Sequence, residues 1–348
     1  MADAKFTALG MSHSGKTCYI LGMYYNMCTG INGFKLFTNG TTASKLEDWM
    51  DNLDDESLHM DRFPAGTTSN FNTNYSFLLK YQSTSILSFD WYDYAGGLLR
   101  SKDENSKTYQ EVVNSIKTST CLYIFIDGEL LSADTQEKRI KNVQRKCARS
   151  IGHFLTDYAN ENGKFPPIVF IITKADLCSN VSGNDIEEIL RLNFSDLFNG
   201  GTDFLAVTQV TLGENIQDDN YTGEVDPKNV HLPFFLGIYQ EFLMAVKSRE
   251  YELNQSNNQM KTSIKSYSNT IDKENSRWFF TNYERINSYR NKIAKLESDI
   301  NANKLQISEL KKYLRVLREE IVANQNYIAC FENGRETRFS DISFFKFE

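Results

Sequence analysis

The stretch "GMSHSGKT", residues 10–17, constrains this 348-residue chain more than any other feature. It fits the phosphate-cradling template Gly-x-x-x-x-Gly-Lys-Ser/Thr. Gly10 lets the chain leave a strand in a tight turn, and Gly15 lets backbone N–H groups approach phosphate oxygens. Lys16 places a point charge near the β- and γ-phosphates, and Thr17 offers a hydroxyl to Mg²⁺. Ser14 and Cys18 complete the loop as candidate contacts, and His13 either touches phosphate or faces solvent. The flanks agree: "KFTAL" (5–9) suits a short buried strand, and "CYILGMYYNM" (18–27) a helix whose N-terminal dipole favours an anion.

The pattern that follows predicts an α/β fold. "YSFLLKYQ" (75–82) alternates apolar and polar residues, and "SILSFDWYD" (85–93) follows as a neighbouring strand would, giving one antiparallel edge. "CLYIFID" (121–127) and "IVFIIT" (168–173) are nearly continuous apolar runs, suited to central strands covered on both faces. Between them Ile140, Val143, Cys147, Ile151 and Phe154 repeat at helical spacing, with Gly163 as a stop signal. "DFLAVT" (203–208) reads as a last strand and residues 232–249 as a closing helix. Strand–helix alternation through residue 249 argues a mainly parallel sheet flanked by helices.

Two further strand ends carry candidate chemistry. In "SFDWYDYAGG" (88–97), Asp93 can hold Mg²⁺ through water and the Gly96 N–H can sense a γ-phosphate; Asp90 is the rival acid, three residues back in the strand body. In "IITKADL" (171–177), Asp176 can accept from the N1–H and 2-amino group of guanine. Adenine lacks that donor pair and would leave the acid unpaired at a cost. Lys174 can lay its stem along the base, and Thr173 completes Thr-Lys-x-Asp. The plain alternative is a strand-to-helix turn with a capping Asp.

Loop, Asp-x-x-Gly and Thr-Lys-x-Asp, in this order, resemble the Ras-like P-loop GTPases of the translation-factor-related class. The resemblance covers residues 5 to about 249, with Thr173 where the family has Asn. "WYDYAGG" is also similar to bacterial GTPases found beside other conflict or regulatory genes. The resemblance implies a P-loop NTPase G domain that binds GTP or GDP with Mg²⁺, held by Thr17, Asp93 and a switch threonine. "RFPAGTTSN" (62–70) offers Thr67 and Thr68 for that last role, with Thr67 favoured because it follows Gly66. A base-contacting element falls on Ala206-Val207-Thr208. The long gap before the switch contains acidic "LEDWMDNLDDESLHMD" (46–61), expected as an inserted helix with a solvated acidic face or a docking surface for a basic partner.

The family's water-orienting glutamine would fall at Gly97, which has no side chain to place a water. Nucleotide binding therefore follows more firmly than fast hydrolysis. Catalytic candidates are His13, Gly96 and Gly97, together with an arginine from a second subunit. Arg62 and Arg100 flank the switches and otherwise read as solvated charge. The expectation is a GTP-binding switch with slow or partner-activated hydrolysis; the alternative is a hydrolytically inactive scaffold. A kinase would want an arginine-bearing lid, and an ATPase would have no use for Thr-Lys-x-Asp.

Beyond residue 250 glycine vanishes until Gly334, and a 3–4 repeat runs Ile286, Tyr289, Ile293, Leu296, Ile300, Asn303, Ile307, Leu310, Leu314, Leu317, Ile321, Asn324, Ile328. This is a coiled-coil signature, a helix roughly 65 Å long. Isoleucine and leucine placement favours a parallel homodimer, with Asn303 and Asn324 setting register. The alternative is a fold-back on residues 250–278, with Ile264, Tyr267 and Ile271 as partner face. The expected divisions are a G domain (1–249), a helical coiled-coil region (250–330) and a tail (331–348) able to turn a hairpin through Asn333-Gly334. A net charge of −7 gives no reason to expect nucleic acid. Six scattered cysteines, no bilayer-length apolar run and no secretory signal at the start predict a cytoplasmic chain without a transmembrane segment; the expected partners are a guanine nucleotide and a second subunit or effector protein.

Overall fold

The computed structural model describes residues 4–65, 73–100, 106–214, 216, 223–276 and 282–337. Their strands are β1 (Ala4–Leu9), β2 (Phe34–Thr38), β3 (Thr73–Tyr81), β4 (Thr84–Asp93), β5 (Cys121–Asp127), β6 (Ile168–Thr173), β7 (Phe204–Gln209), β8 (Ile328–Glu332) and β9 (Arg335–Glu336). They form one sheet in the order β2-β3-β4-β1-β5-β6-β7-β8-β9. The centre, β4-β1-β5-β6-β7, is parallel, and both margins are antiparallel. The expected β3–β4 pair is present.

The helices are α1 (Lys16–Thr29), α2 (Gly40–Asp54), α3 (Lys107–Thr118), α4 (Gln136–Val143), α5 (Arg149–Asn162), α6 (Gly183–Asn193), α7 (His231–Asn275) and α8 (Tyr283–Ala323). A π-helical turn at Gln144–Ala148 joins α4 to α5 with helical backbone on both sides, so the expected helix runs on through Cys147 with one widened turn. Central strands are covered on both faces, which explains their unbroken apolar runs. Leu122, Ile124 and Ile126 share one core with Val112, Phe154 and Ile189. On the opposite face Phe6, Trp91 and Tyr123 meet Tyr19 of α1 and Phe234 of α7; Trp91 stacks on Tyr123 at 4.6 Å.

Two compact units divide the chain: Met1–Glu241 with Arg318–Glu348, and Phe242–Leu317. The first contains the sheet and takes back the end of the chain. Residues 328–332, split in expectation between helix and tail, form a single strand on β7. The helix expected to reach 328 ends at Ala323. Without β8, β7 would present an unpaired edge, and pairing satisfies its backbone groups. Asn324 therefore leaves the helix and donates to Glu320, and Ile328 opens the strand. Asn333 and Gly334, at φ 50° and 78°, make the two-residue turn to β9. Glu320 also meets the Nε2 of His231 at 3.2 Å and accepts from Asn32, and the His231 bond chiefly holds its carboxyl below the usual range.

The second unit is an antiparallel pairing of α7 with α8. Glu250 pairs with Lys311 at 2.9 Å, Asn257 accepts from Asn303 at 2.9 Å, Tyr267 stacks on Tyr289 at 5.2 Å, and Glu274 pairs with Arg285 at 3.0 Å. As numbers rise on one helix they fall on the other. This is the fold-back alternative. Part of the seam assigned to a parallel homodimer is covered within one chain: Ile286, Ile300, Leu314 and Leu317 are buried, while Ile293, Leu296, Ile307 and Leu310 are half-buried. No helix of the described residues is long and apolar enough to cross a membrane.

Candidate nucleotide site

The phosphate loop leaves β1 and enters α1. Gly15 sits at φ 78° as the helix N-cap, a conformation that a side chain disfavours. Lys16 is buried, and its ammonium donates to the carbonyls of Gly10 (2.8 Å) and Met11 (3.1 Å). Burial pulls its pKa below the usual lysine value, partly opposed by Asp93. Ser14 is buried too, and its hydroxyl has no hydrogen-bond partner among the described residues. An orphaned donor beside a buried cation fits an anion; isolated burial of such groups is otherwise costly.

Thr17 donates its hydroxyl to Asp93 at 3.0 Å, and Asp93 is fully buried. The rival acid, Asp90, instead accepts from Ser76 at 2.6 Å on the sheet surface. Among the described residues no three His, Cys, Asp or Glu side chains cluster as metal ligands. A cation here would draw most ligands from phosphate and water, as Mg²⁺ does, with Thr17 and Asp93 as the protein's share. Gly96 is pressed onto the loop: a Cβ there would lie 1.9 Å from the Ser12 nitrogen and 2.2 Å from the Met11 carbonyl carbon. Gly97, next along, is exposed.

At the end of β6, Thr173 donates to the Ser14 carbonyl at 2.9 Å, so a hydroxyl ties this strand end to the phosphate loop. Lys174, at φ 49°, pairs with Asp127 at 2.8 Å. Asp176 accepts from Thr211 at 3.0 Å, and the Thr211 oxygen in turn accepts from the Gly213 N–H. The same hydroxyl also lies 2.9 Å from the Gly213 carbonyl, so its one proton is shared between Asp176 and the turn after β7.

A cavity of about 730 Å³ joins these parts. It is lined by Ser12, His13, Ser14, Gly15, Lys16, Thr17 and Cys18, by Gly96, and by Thr173, Lys174 and Asp176. Cys18 is half-buried in the lining, and desolvation raises its thiol pKa to about 11. Ala206 and Val207 do not reach the cavity. Both are buried inside β7, where Ala206 pairs with Val169 and Cys330. The strand continues two residues past Val207, and the lining positions are Val210, Thr211 and Leu212. Only Gly213 marks that boundary in the sequence. Thr67 and Thr68 lie outside the described residues, as does the side chain of Arg100. Arg62 is neither exposed nor in the lining; it is 1% exposed and donates to the Leu53 carbonyl.

One wall could not be foreseen from the sequence. Trp49, Asn52, Met60, Asp61 and Phe63 line the same cavity. Trp49 and Asn52 come from α2, whose Leu46, Met50 and Leu53 are buried; Met60 and Asp61 come from the 3₁₀ turn Glu56–Arg62, and Phe63 follows it. The acids Glu47, Asp48, Asp51 and Asp54 point outward as a solvated face would.

With this geometry in view, the family match is informative. The Double-GTPase 2 family matches residues 7–206, more than half of the chain. The chain belongs to the Double-GTPase 2 family. Membership implies binding of a guanine nucleotide, usually with Mg²⁺. The matched span begins in β1 and ends in β7, so it takes in the phosphate loop, Asp93–Gly96 and Thr173–Asp176 of this Double-GTPase 2 member. No curated protein matches the chain.

Proposed function

We propose that this Double-GTPase 2 member is a Mg²⁺-dependent, Ras-like GTP switch with slow intrinsic hydrolysis, working in the cytoplasm. One observation carries the reading: Gly96 lies against Met11 and Ser12 with no room for a side chain. A γ-phosphate on the loop is felt at once by the turn after β4, and the reverse holds after its loss. Lys16 and the Ser14 hydroxyl bind the phosphates, and Thr17 with Asp93 holds the cation. Mg²⁺, when bound, offsets charge that builds on the phosphate oxygens. Asp176, oriented by Thr211, selects guanine. A threonine at 67 or 68 completes the switch.

Hydrolysis is slow because Gly97 has no side chain to orient water, and no arginine lines the cavity among the described residues. A second subunit or effector supplies the missing group; an arginine donated in this way is worth about 10³–10⁵ in rate. The region from 250 onward presents the nucleotide state to that partner. All six thiols are free, which supports a reducing compartment.

Exposed Gly97 also favours a second reading, a scaffold that holds GTP without cleaving it. Single-turnover phosphate release, followed as protein concentration rises, separates the two. Release that climbs with concentration supports a partner-activated enzyme; none under any condition supports the scaffold. Equal affinity for ATP and GTP would defeat the guanine assignment itself.

A further inference from the structure

We propose that Arg62 is a positioning residue for the bound nucleotide: it latches the segment 40–65 across the cavity and sets how long the nucleotide stays. This rests on the guanine-nucleotide reading above.

The wall built from Trp49, Met60 and Phe63 has no counterpart in phosphate chemistry. Large apolar side chains suit the flat parts of a ligand, and Met60 leaves 70% of its surface open to be covered. What holds this wall is a buried cation. The Nε of Arg62 donates to the Leu53 carbonyl at 2.7 Å, and Nη2 donates to Leu53 and, at 3.3 Å, to the Gly223 carbonyl. Leu53 lies in the last turn of α2. Gly223 belongs to the stretch between Leu212 and Val230, and both of those line the cavity. One guanidinium therefore joins the inserted wall to the base-side wall.

A buried guanidinium is expensive to desolvate, and an apolar residue would fill the space more cheaply. Its fork can reach carbonyls on two segments at once, which neither an apolar side chain nor a lysine reproduces. Three residues before it, His59 holds φ 48° and ψ −123°, a conformation that non-glycine residues avoid. Strain at His59 favours release of the turn, and the Arg62 contacts oppose it. Nucleotide dissociation then requires Arg62 to leave its carbonyls.

The test loads the full chain with tritiated GDP, chases with unlabelled GDP and follows retention on filters. Arg62→Gln should release GDP about tenfold faster, the size of one lost charge-assisted hydrogen bond. Arg62→Lys should fall between, because the charge remains without the fork. A merely structural role would lower the melting temperature without ordering the release rates in this way. Hydrogen exchange on the unaltered protein gives a second arm that needs no variant: amides of 49–63 should slow when GDP saturates the site. Unchanged release in variants that melt like the parent overturns the latch and leaves the function standing. Lack of protection at 49–63 overturns it as well, even if neither variant folds. Failure to bind GDP or GTP overturns both.

Discussion

In the sheet unit Lys16, Asp93 and Thr173 are buried around the phosphate loop; in the helical hairpin Asn257 and Glu274 are buried along the seam of α7 and α8. The two sets spend burial differently. Hairpin groups pair with side chains, Asn257 with Asn303 and Glu274 with Arg285, and that pairing aligns the helices. Among the described residues Lys16 donates only to two carbonyls of its own loop, and the Ser14 hydroxyl has no partner. Phosphate oxygens can take over those donors. Buried polarity is binding capacity in one region and register in the other.

The sharpest way to break this contrast is to remove the loop charge. Lys16→Ala should weaken GTP binding on the order of a thousandfold, from the loss of a buried charge partner, measured by titration calorimetry. A small loss would mean the loop is not where the phosphates sit. Next, Asp176→Ala should cut the preference for GTP over ATP by about a hundredfold, as expected for two charge-assisted bonds to the base edge. Competition binding against both nucleotides reads it directly.

On the hairpin side, Leu314→Ala should lower unfolding free energy by about 3 kcal/mol, since the side chain is fully buried; denaturant titration checks this. Asn303→Ala should cost about 1–3 kcal/mol by leaving Asn257 unpaired, while leucine at both positions should recover most of it. If the double variant is as unstable as the single, the pair does not act as a unit. The smallest effect is in pH. Burial lowers the Lys16 pKa from 10.5, so the cost of the charged form stands below the folded value. That cost disappears as pH rises from the folded toward the unfolded value, so the nucleotide-free protein gains stability there. GTP affinity should fall over the same alkaline window as the ammonium deprotonates, and Lys16→Met should abolish the dependence.

How much was legible follows from how local each feature is. The phosphate loop could be read because one eight-residue stretch contains the turn, the charge and the hydroxyl. Asp93 was separable from Asp90 by its place at a strand end, and the structure puts it on Thr17. That Val210–Leu212 rather than Ala206–Val207 line the cavity could not be read, because a strand's end depends on its neighbours. The same reason hid β8: a 3–4 repeat continued numerically through Ile328 while an open edge on β7 drew those residues into the sheet. Arg62 looked like surface charge because nothing nearby in sequence reveals a carbonyl at Gly223.

By itself the sequence determined the mainly parallel α/β unit, the nucleotide loop and the apolar seam, since each is a periodicity or motif within a short window. Tertiary structure alone decided what that seam packs against, which wall covers the cavity and where residues 328–332 pair. Those outcomes depend on contacts between residues far apart in the chain, as between Arg62 and Gly223 or Asn257 and Asn303, and no local pattern encodes such a meeting.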